Sequence, residues 1–249
     1  MHQEPREGAQ VALFREGLRQ INVLYAHQST HVWCLTRVPK DEPRAYHMRG
    51  WTTFELRVAS LIKHAELLLN LGLLPLRRPA LTAAQRKLYP DEDHHLEYFG
   101  EEVLRPCVTT RDAPLTPEAF RKTLGLEGEP DAKTFTNGAD RGFVAEKYEK
   151  TFHEVMGSTE ELWFVELDWG DAELALLGRA LAHCPQLQYL SLDGNQRITA
   201  EGVGAHLLPA LAQMPQLRVL SMLRCAPGLH AELLPALQQL PAGLKLEIS

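Results

Sequence analysis

The chain has 249 residues, a formal charge of −6, 45% hydrophobic residues and 23% charged residues. This is an ordinary globular composition, long enough for one large domain or two small ones. The acidic balance and the scattered lysines and arginines argue against nucleic acid as the main partner, and no apolar run approaches the roughly 18 residues of a membrane span.

Four cysteines, Cys34, Cys107, Cys184 and Cys225, lie far apart without CxxC spacing, which excludes a zinc ribbon or a redox motif of the usual kind. The opening "MHQEPREGAQ" is polar and does not read as a signal peptide. A cytoplasmic protein with free thiols and no bound cofactor is expected.

In chain order, "AQVALFREGLRQINVLYAHQ" (9–28) places Val11, Phe14, Leu18, Ile21 and Leu24 at helical spacing. "THVWCLTRV" (30–38) is rich in β-formers and reads as a buried strand, and "PKDEPRAY" (39–46) as a charged loop. "GWTTFELRVASLIKHAELLLNLG" (50–72) reads as one amphipathic helix, with Thr52 or Thr53 as N-cap, Glu55 in the first turn and Gly72 as the stop. Trp51 and Glu55 stand four apart near its start, where they serve either packing and the helix dipole or a nucleotide site.

The order helix, strand, charged loop and helix opening with Trp-x-x-x-Glu resembles the central part of Toll/interleukin-1-receptor (TIR) domains over about residues 9–72. The resemblance implies a truncated TIR-like segment over 1–75, since the family's first strand and phosphate-holding loop would lie upstream of Met1. In the NAD-cleaving members the glutamate carries catalysis, so Glu55, with Trp51 beside it, is the residue the resemblance assigns to that chemistry, with NAD as substrate. The segment also resembles protist and algal proteins in which "Y-x-x-RGW-x-x-FE" precedes text like "TFTNGADRGFVAEKYEKTF" and leucine-rich repeats. Here the matching residues are Tyr46, Arg49-Gly50-Trp51, Phe54-Glu55 and 134–152.

Residues 76–133 form a Pro- and charge-rich connector. Within it "EVLRPCVTT" (102–110) offers a further strand, and "LTPEAF" a short helix capped by Thr116 with Phe120 buried. "DEDHH" (91–95) lacks metal-ligand spacing and reads as a solvated loop. Residues 134–157 then give a helix capped by Asn137 or Asp140, whose stripe Phe143, Val144, Tyr148 and Phe152 docks on the segment C-terminal to it.

From 158 to 249 the chain repeats. "LWFVELDWG" from Leu162, "LQYLSLDGN" from Leu187 and "LRVLSMLRC" from Leu217 each fit L-x-x-L-x-L-x-x-N/C, and a worn "GLKLEIS" begins at Gly243. Helical stretches between them end at Pro185, Pro215 and Pro241, spaced by 30 and 26 residues. The pattern resembles the leucine-rich repeat family, its ribonuclease-inhibitor class, in which stacked units share one core. Position nine reads Gly170, Asn195 and Cys225. The last strand lacks a polar cap and is expected to be an exposed edge, a contact for self-association or the end of a truncated product.

Strand positions three, five and seven would face a protein partner: Phe164, Glu166 and Asp168; Tyr189, Ser191 and Asp193; Val219, Ser221 and Leu223. The expected fold is α/β, a helix-rich N-terminal portion with a small parallel-sheet fragment followed by a short leucine-rich-repeat arc. The expected function is a non-enzymatic protein-interaction module, with the NAD glycohydrolase built on Glu55 as its alternative.

Overall fold

The computed structural model describes residues 8–75, 82–90, 99–109, 111–129, 132–229, 231–233 and 243–248. It is a mixed α/β structure, helix-rich, with a two-stranded and a four-stranded parallel sheet. The 91–95 segment and most of the 231–241 helical stretch lie outside the described residues.

Helix α1 (Gly8–Ala26) packs against α2 (Gly50–Ala59) and α5 (Asp140–Ser158). Its buried side is Ile21, Asn22, Tyr25 and Ala26, whereas Leu24 is 66% exposed; the side chains of Val11 and Phe14 lie outside the described set. Strand β1 (Val32–Cys34) buries Val32 and Cys34 and turns Trp33 outward, so it is half-buried and not the fully buried strand its composition suggests.

The expected helix over 50–72 is the main departure. It stops at Ala59, and Leu68–Asn70 form β2, which pairs with β1 in parallel, Val32 opposite Leu68. Neither Thr52 nor Thr53 caps it: Arg49 is the N-cap, and the two hydroxyls donate to the carbonyls of Tyr46 (2.6 Å) and Arg49 (2.8 Å). Tertiary contacts override the helical pattern beyond Ala59. Arg111 is fully buried and spends its guanidinium on backbone oxygens at that helix end. Nε donates to Ser60 O at 2.7 Å and Nη2 to Leu61 O at 2.5 Å. Cations suit a helix C-terminus, where the last carbonyls are unpaired. Lys63, also buried, adds bonds to His27 O and to Thr30 Oγ1 (3.0 Å).

The same guanidinium crosses to the second unit. Its Nη1 donates to Trp163 O at 2.7 Å, and its plane lies 4.1 Å from the Phe164 ring centre. Trp169 closes the knot: its Nε1 donates to Arg111 O at 2.8 Å and its ring sits 4.5 Å from Phe164.

Short helices α3 (Ala83–Leu88) and α4 (Pro117–Thr123) are each capped by a threonine, Thr82 and Thr116. Of the expected strand 102–110, the described residues 102–109 form none. They make helical turns as far as Cys107, and Val108 forms one isolated bridge to Leu69. In α5 the expected stripe is largely buried, with Tyr148 stacked on Phe120 at 3.9 Å and its hydroxyl donating to Leu115 O at 2.8 Å. No Asn137 or Asp140 side chain caps it; Ala139 is the N-cap. One continuous core runs from Ala26 and Phe54 through α4 and α5 to Leu229 and Leu233.

Strands β3 (Glu161–Trp163), β4 (Tyr189–Ser191), β5 (Val219–Met222) and β6 (Lys245–Ile248) run parallel in that order. Helix α6 (Asp171–Leu181) and the helical stretch 200–211 cover one side. Leu162, Leu190, Leu220 and Leu246 stand opposite one another. Asn195 binds the turns together: its Oδ1 accepts from Leu167 N (3.0 Å) and Trp169 N (3.1 Å), and its Nδ2 donates to Phe164 O and Leu192 O, both at 2.7 Å. Cys225 does part of this job with one bond to Leu192 O at 3.3 Å.

No helix among the described residues is long and apolar enough to cross a membrane. Replacing Arg111 by alanine or lysine strands buried carbonyls and opens space beside Phe164. A loss of about 3–5 kcal/mol is expected for Arg111→Ala in urea unfolding followed by tryptophan fluorescence. Lysine should rescue little, lacking the planar fork. A loss below about 0.5 kcal/mol would show that the guanidinium does not hold the two units together.

Candidate functional site

The registers correct the expected partner-facing set. Leu162 pairs with Leu190, not with Leu187, so the first unit is shifted by three residues from the alignment of its leucines. An odd shift along a strand exchanges its two faces. Phe164 is therefore a core residue with no exposed surface, and not a partner-facing anchor. The backbone confirms the shift. The residues before Leu167, Asn195 and Cys225 are Glu166 (φ 55°), Gly194 (φ 73°) and Arg224 (φ 54°), all in the left-handed region. Leu167, and not Gly170, is thus the first unit's counterpart of Asn195.

Glu166 and Asp168 lie beyond the strand in loop positions with φ of 55°. Glu166 pairs with Arg224 at 2.9 Å across Gly194, where a Cβ would meet Glu166 Cγ at 2.6 Å. Asp168 pairs with Arg197 at 3.2 Å. These exposed pairs contribute little stability. Ser191 and Ser221 are fully buried, which removes them from a partner's reach. Tyr189 and Val219 are half-exposed and Leu223 is exposed. Asp193 is half-exposed, its Oδ1 accepting from Ser221 Oγ (2.7 Å) and Leu223 N (2.8 Å).

The residues that replace the lost ones are Glu161, Trp163 and Val165. Trp163 lies against Tyr189 with ring centres 4.4 Å apart, and its Nε1 donates to Glu161 Oε2 at 3.1 Å. The sign in the sequence was the left-handed turn before Asn195, carried by glycine there but by glutamate and arginine in the flanking units.

Trp51 and Glu55 do different work. Trp51 packs edge-on to Phe54 and against Phe143, both at 6.1 Å, and its Nε1 donates to Asp140 Oδ2 at 3.0 Å. Around it the two motif segments interlock. Gly50 N donates to Thr134 O (2.9 Å), Thr134 N donates to Met48 O (2.8 Å), and the Phe135 ring fills the space a Cβ on Gly50 would occupy, 1.9 Å away.

Glu55 falls in the second turn of α2, so it is not the first-turn dipole partner expected. It is half-buried among Tyr25, Cys34 and Tyr46. Burial raises its carboxyl above the usual range, and the Tyr25 hydroxyl beside it pulls the other way. Tyr25 is pushed up to about 12 by burial and then by the Glu55 charge. Burial likewise raises Cys34 and Tyr46. At the carboxyl ends of β1 and β2, where open parallel sheets hold ligands, the Thr36 hydroxyl spans the gap to Asn70 Oδ1 at 2.5 Å. Among the described residues no group of three or more His, Cys, Asp or Glu could hold a metal ion.

A carboxyl raised in the folded state binds its proton more tightly there than in the unfolded chain. Glu55 therefore lowers stability as pH climbs from the ordinary glutamate value through its raised one, and the penalty persists above. Glu55→Gln keeps an acceptor for Tyr25 and removes the charge. Its melting temperature should exceed wild type near neutrality, and the two should converge below about pH 4, where glutamate is protonated in either state. A Gln variant less stable at neutral pH would place a favourable partner on the carboxylate. No protein-family model matches the chain, and no curated protein is found to match it.

Proposed function

We propose that the chain is a non-enzymatic interaction module whose C-terminal units are leucine-rich repeats, and that it binds another protein on the strand face of β3–β6. The carrying observation is the half-exposed apolar set Trp163, Tyr189 and Val219 on adjacent parallel strands: Tyr189 and Val219 stand in register, Trp163, opposite Ser191, leans on the Tyr189 ring at 4.4 Å, and all three flank the fully buried Leu162, Leu190 and Leu220. Side chains so placed are rigid before a partner arrives, which lowers the entropic cost of binding. Aromatic residues at the centre and charges at the edge are the usual anatomy of such a patch. Four buried free cysteines fit a reducing compartment, and we place the protein in the cytoplasm.

The test is recovery of a partner from the source cells. Tyr189→Arg should reduce it at least roughly tenfold, the scale of one interface hot spot, while Arg179→Glu on the exposed side of α6 should leave it unchanged. Equal recovery with Tyr189→Arg, or loss with Arg179→Glu, would remove the strand face from the interaction.

The half-buried carboxyl of Glu55 at the end of a parallel strand pair favours a second reading, a TIR-like NAD glycohydrolase. The interaction reading assigns Glu55 to packing. Purified wild type and Glu55→Ala should then release nicotinamide from NAD at the same background rate. Turnover in wild type that Glu55→Ala abolishes would put the glycohydrolase in its place.

A further inference from the structure

Trp163 does more than extend the strand face. It lines a groove of about 1000 Å³ that the N-terminal unit and the strand face build together. From the strand face it is lined by Trp163, Val165 and Asp193, and from the N-terminal unit by Glu66, Leu69 and Glu101. With Glu166, four carboxylates line this space; Glu101 is bound to Arg105 at 2.8 Å and Glu166 to Arg224 at 2.9 Å, which leaves the charges of Glu66 and Asp193. Among the described residues, neither Glu66 nor Asp193 is paired with a lysine or arginine.

The aromatic pair sits at the edge of this acidic field. Trp163 and Tyr189 lie 4.4 Å apart with planes inclined by 33°, and Glu161 fixes the indole through its N–H. Aromatic faces with carboxylates beside them attract cations, and the attraction grows as the cation is desolvated over the indole. A guanidinium suits this arrangement better than an ammonium: it is planar, stacks on rings and carries five donors for flanking carboxylates. The groove is several side chains in volume and has apolar lining residues, Val165 and Leu69, so it takes a stretch of chain and not a lone ion.

We propose that this groove binds an arginine-bearing extended segment of another protein, its guanidinium against Trp163, which Tyr189 backs from the strand face, and its charge met by Asp193 and Glu66. The proposal rests on the strand-face reading and names the chemistry of the partner. A nucleic acid strand, whose phosphates would face the same carboxylates, is repelled.

The experiment is selection of a displayed library of short random peptides on the immobilised full chain, followed by affinities of the recovered peptides. Arginine should be enriched, and replacing it by citrulline, its neutral near-isostere, should weaken binding at least roughly tenfold. Asp193→Asn with Glu66→Gln keeps the acceptors of Ser221 and Leu223 while removing two charges, and should weaken the same peptides by a similar factor. No enrichment, or enriched peptides indifferent to both changes, overturns the proposal. If those indifferent peptides still lose binding with Tyr189→Ala, the strand face survives as a docking surface without cation recognition. If Tyr189→Ala also leaves them bound, both readings fall.

Discussion

Arg111 is the group on which the architecture turns. A fully buried guanidinium, with no carboxylate partner among the described residues, is among the least comfortable things a protein can enclose. Here it is tolerated because its donors meet three backbone oxygens and its face meets an aromatic ring. Two of those oxygens end α2 and the third belongs to β3, so one side chain both stops a helix and joins it to the first strand of the second sheet. Burial draws the guanidinium down to about 9, and a second buried cation, Lys63, is drawn to about 8 by its own burial and then by Arg111. Neutral oxygens hold both, backbone carbonyls and, for Lys63, one threonine hydroxyl.

What Arg111 does at one end of α2, the Arg49-Gly50-Trp51 stretch does at the other. Phe135 occupies the volume that any larger residue at position 50 would need. Trp51 bonds to the first turn of α5. The two motif segments are distant in sequence and adjacent in space. Their residues are engaged with one another, which accounts for them as packing, and Glu55 sits beyond them with Tyr25.

How much of this was legible depends on where the determining contacts lie. The second and third repeat units were readable because Leu187, Leu190 and Leu192, and Leu217, Leu220 and Met222, are inward residues set by local spacing. The first unit was misaligned because "LWFVELDWG" offers the same apolar rhythm three residues late, and its tight turn is carried by Glu166 instead of glycine. That slip put Phe164 on the wrong face and hid Trp163. The end of α2 was not readable at all. "SLIKHAELLLN" continues a helical rhythm, and what interrupts it is a side chain some fifty residues away. The expected strand at 102–110 failed for a related reason: its one pairing, Val108 with Leu69, depends on β2, which local rhythm conceals.

The bonds that Arg111 makes are to uncharged oxygens in a dry interior, beyond the reach of dissolved ions. Those of the rim, Glu166 with Arg224 and Asp168 with Arg197, are open to water. Ionic strength therefore acts on one part of the molecule and not on the other. The surrounding electrolyte can loosen or sharpen the charged border of the strand face while the junction behind it keeps its geometry.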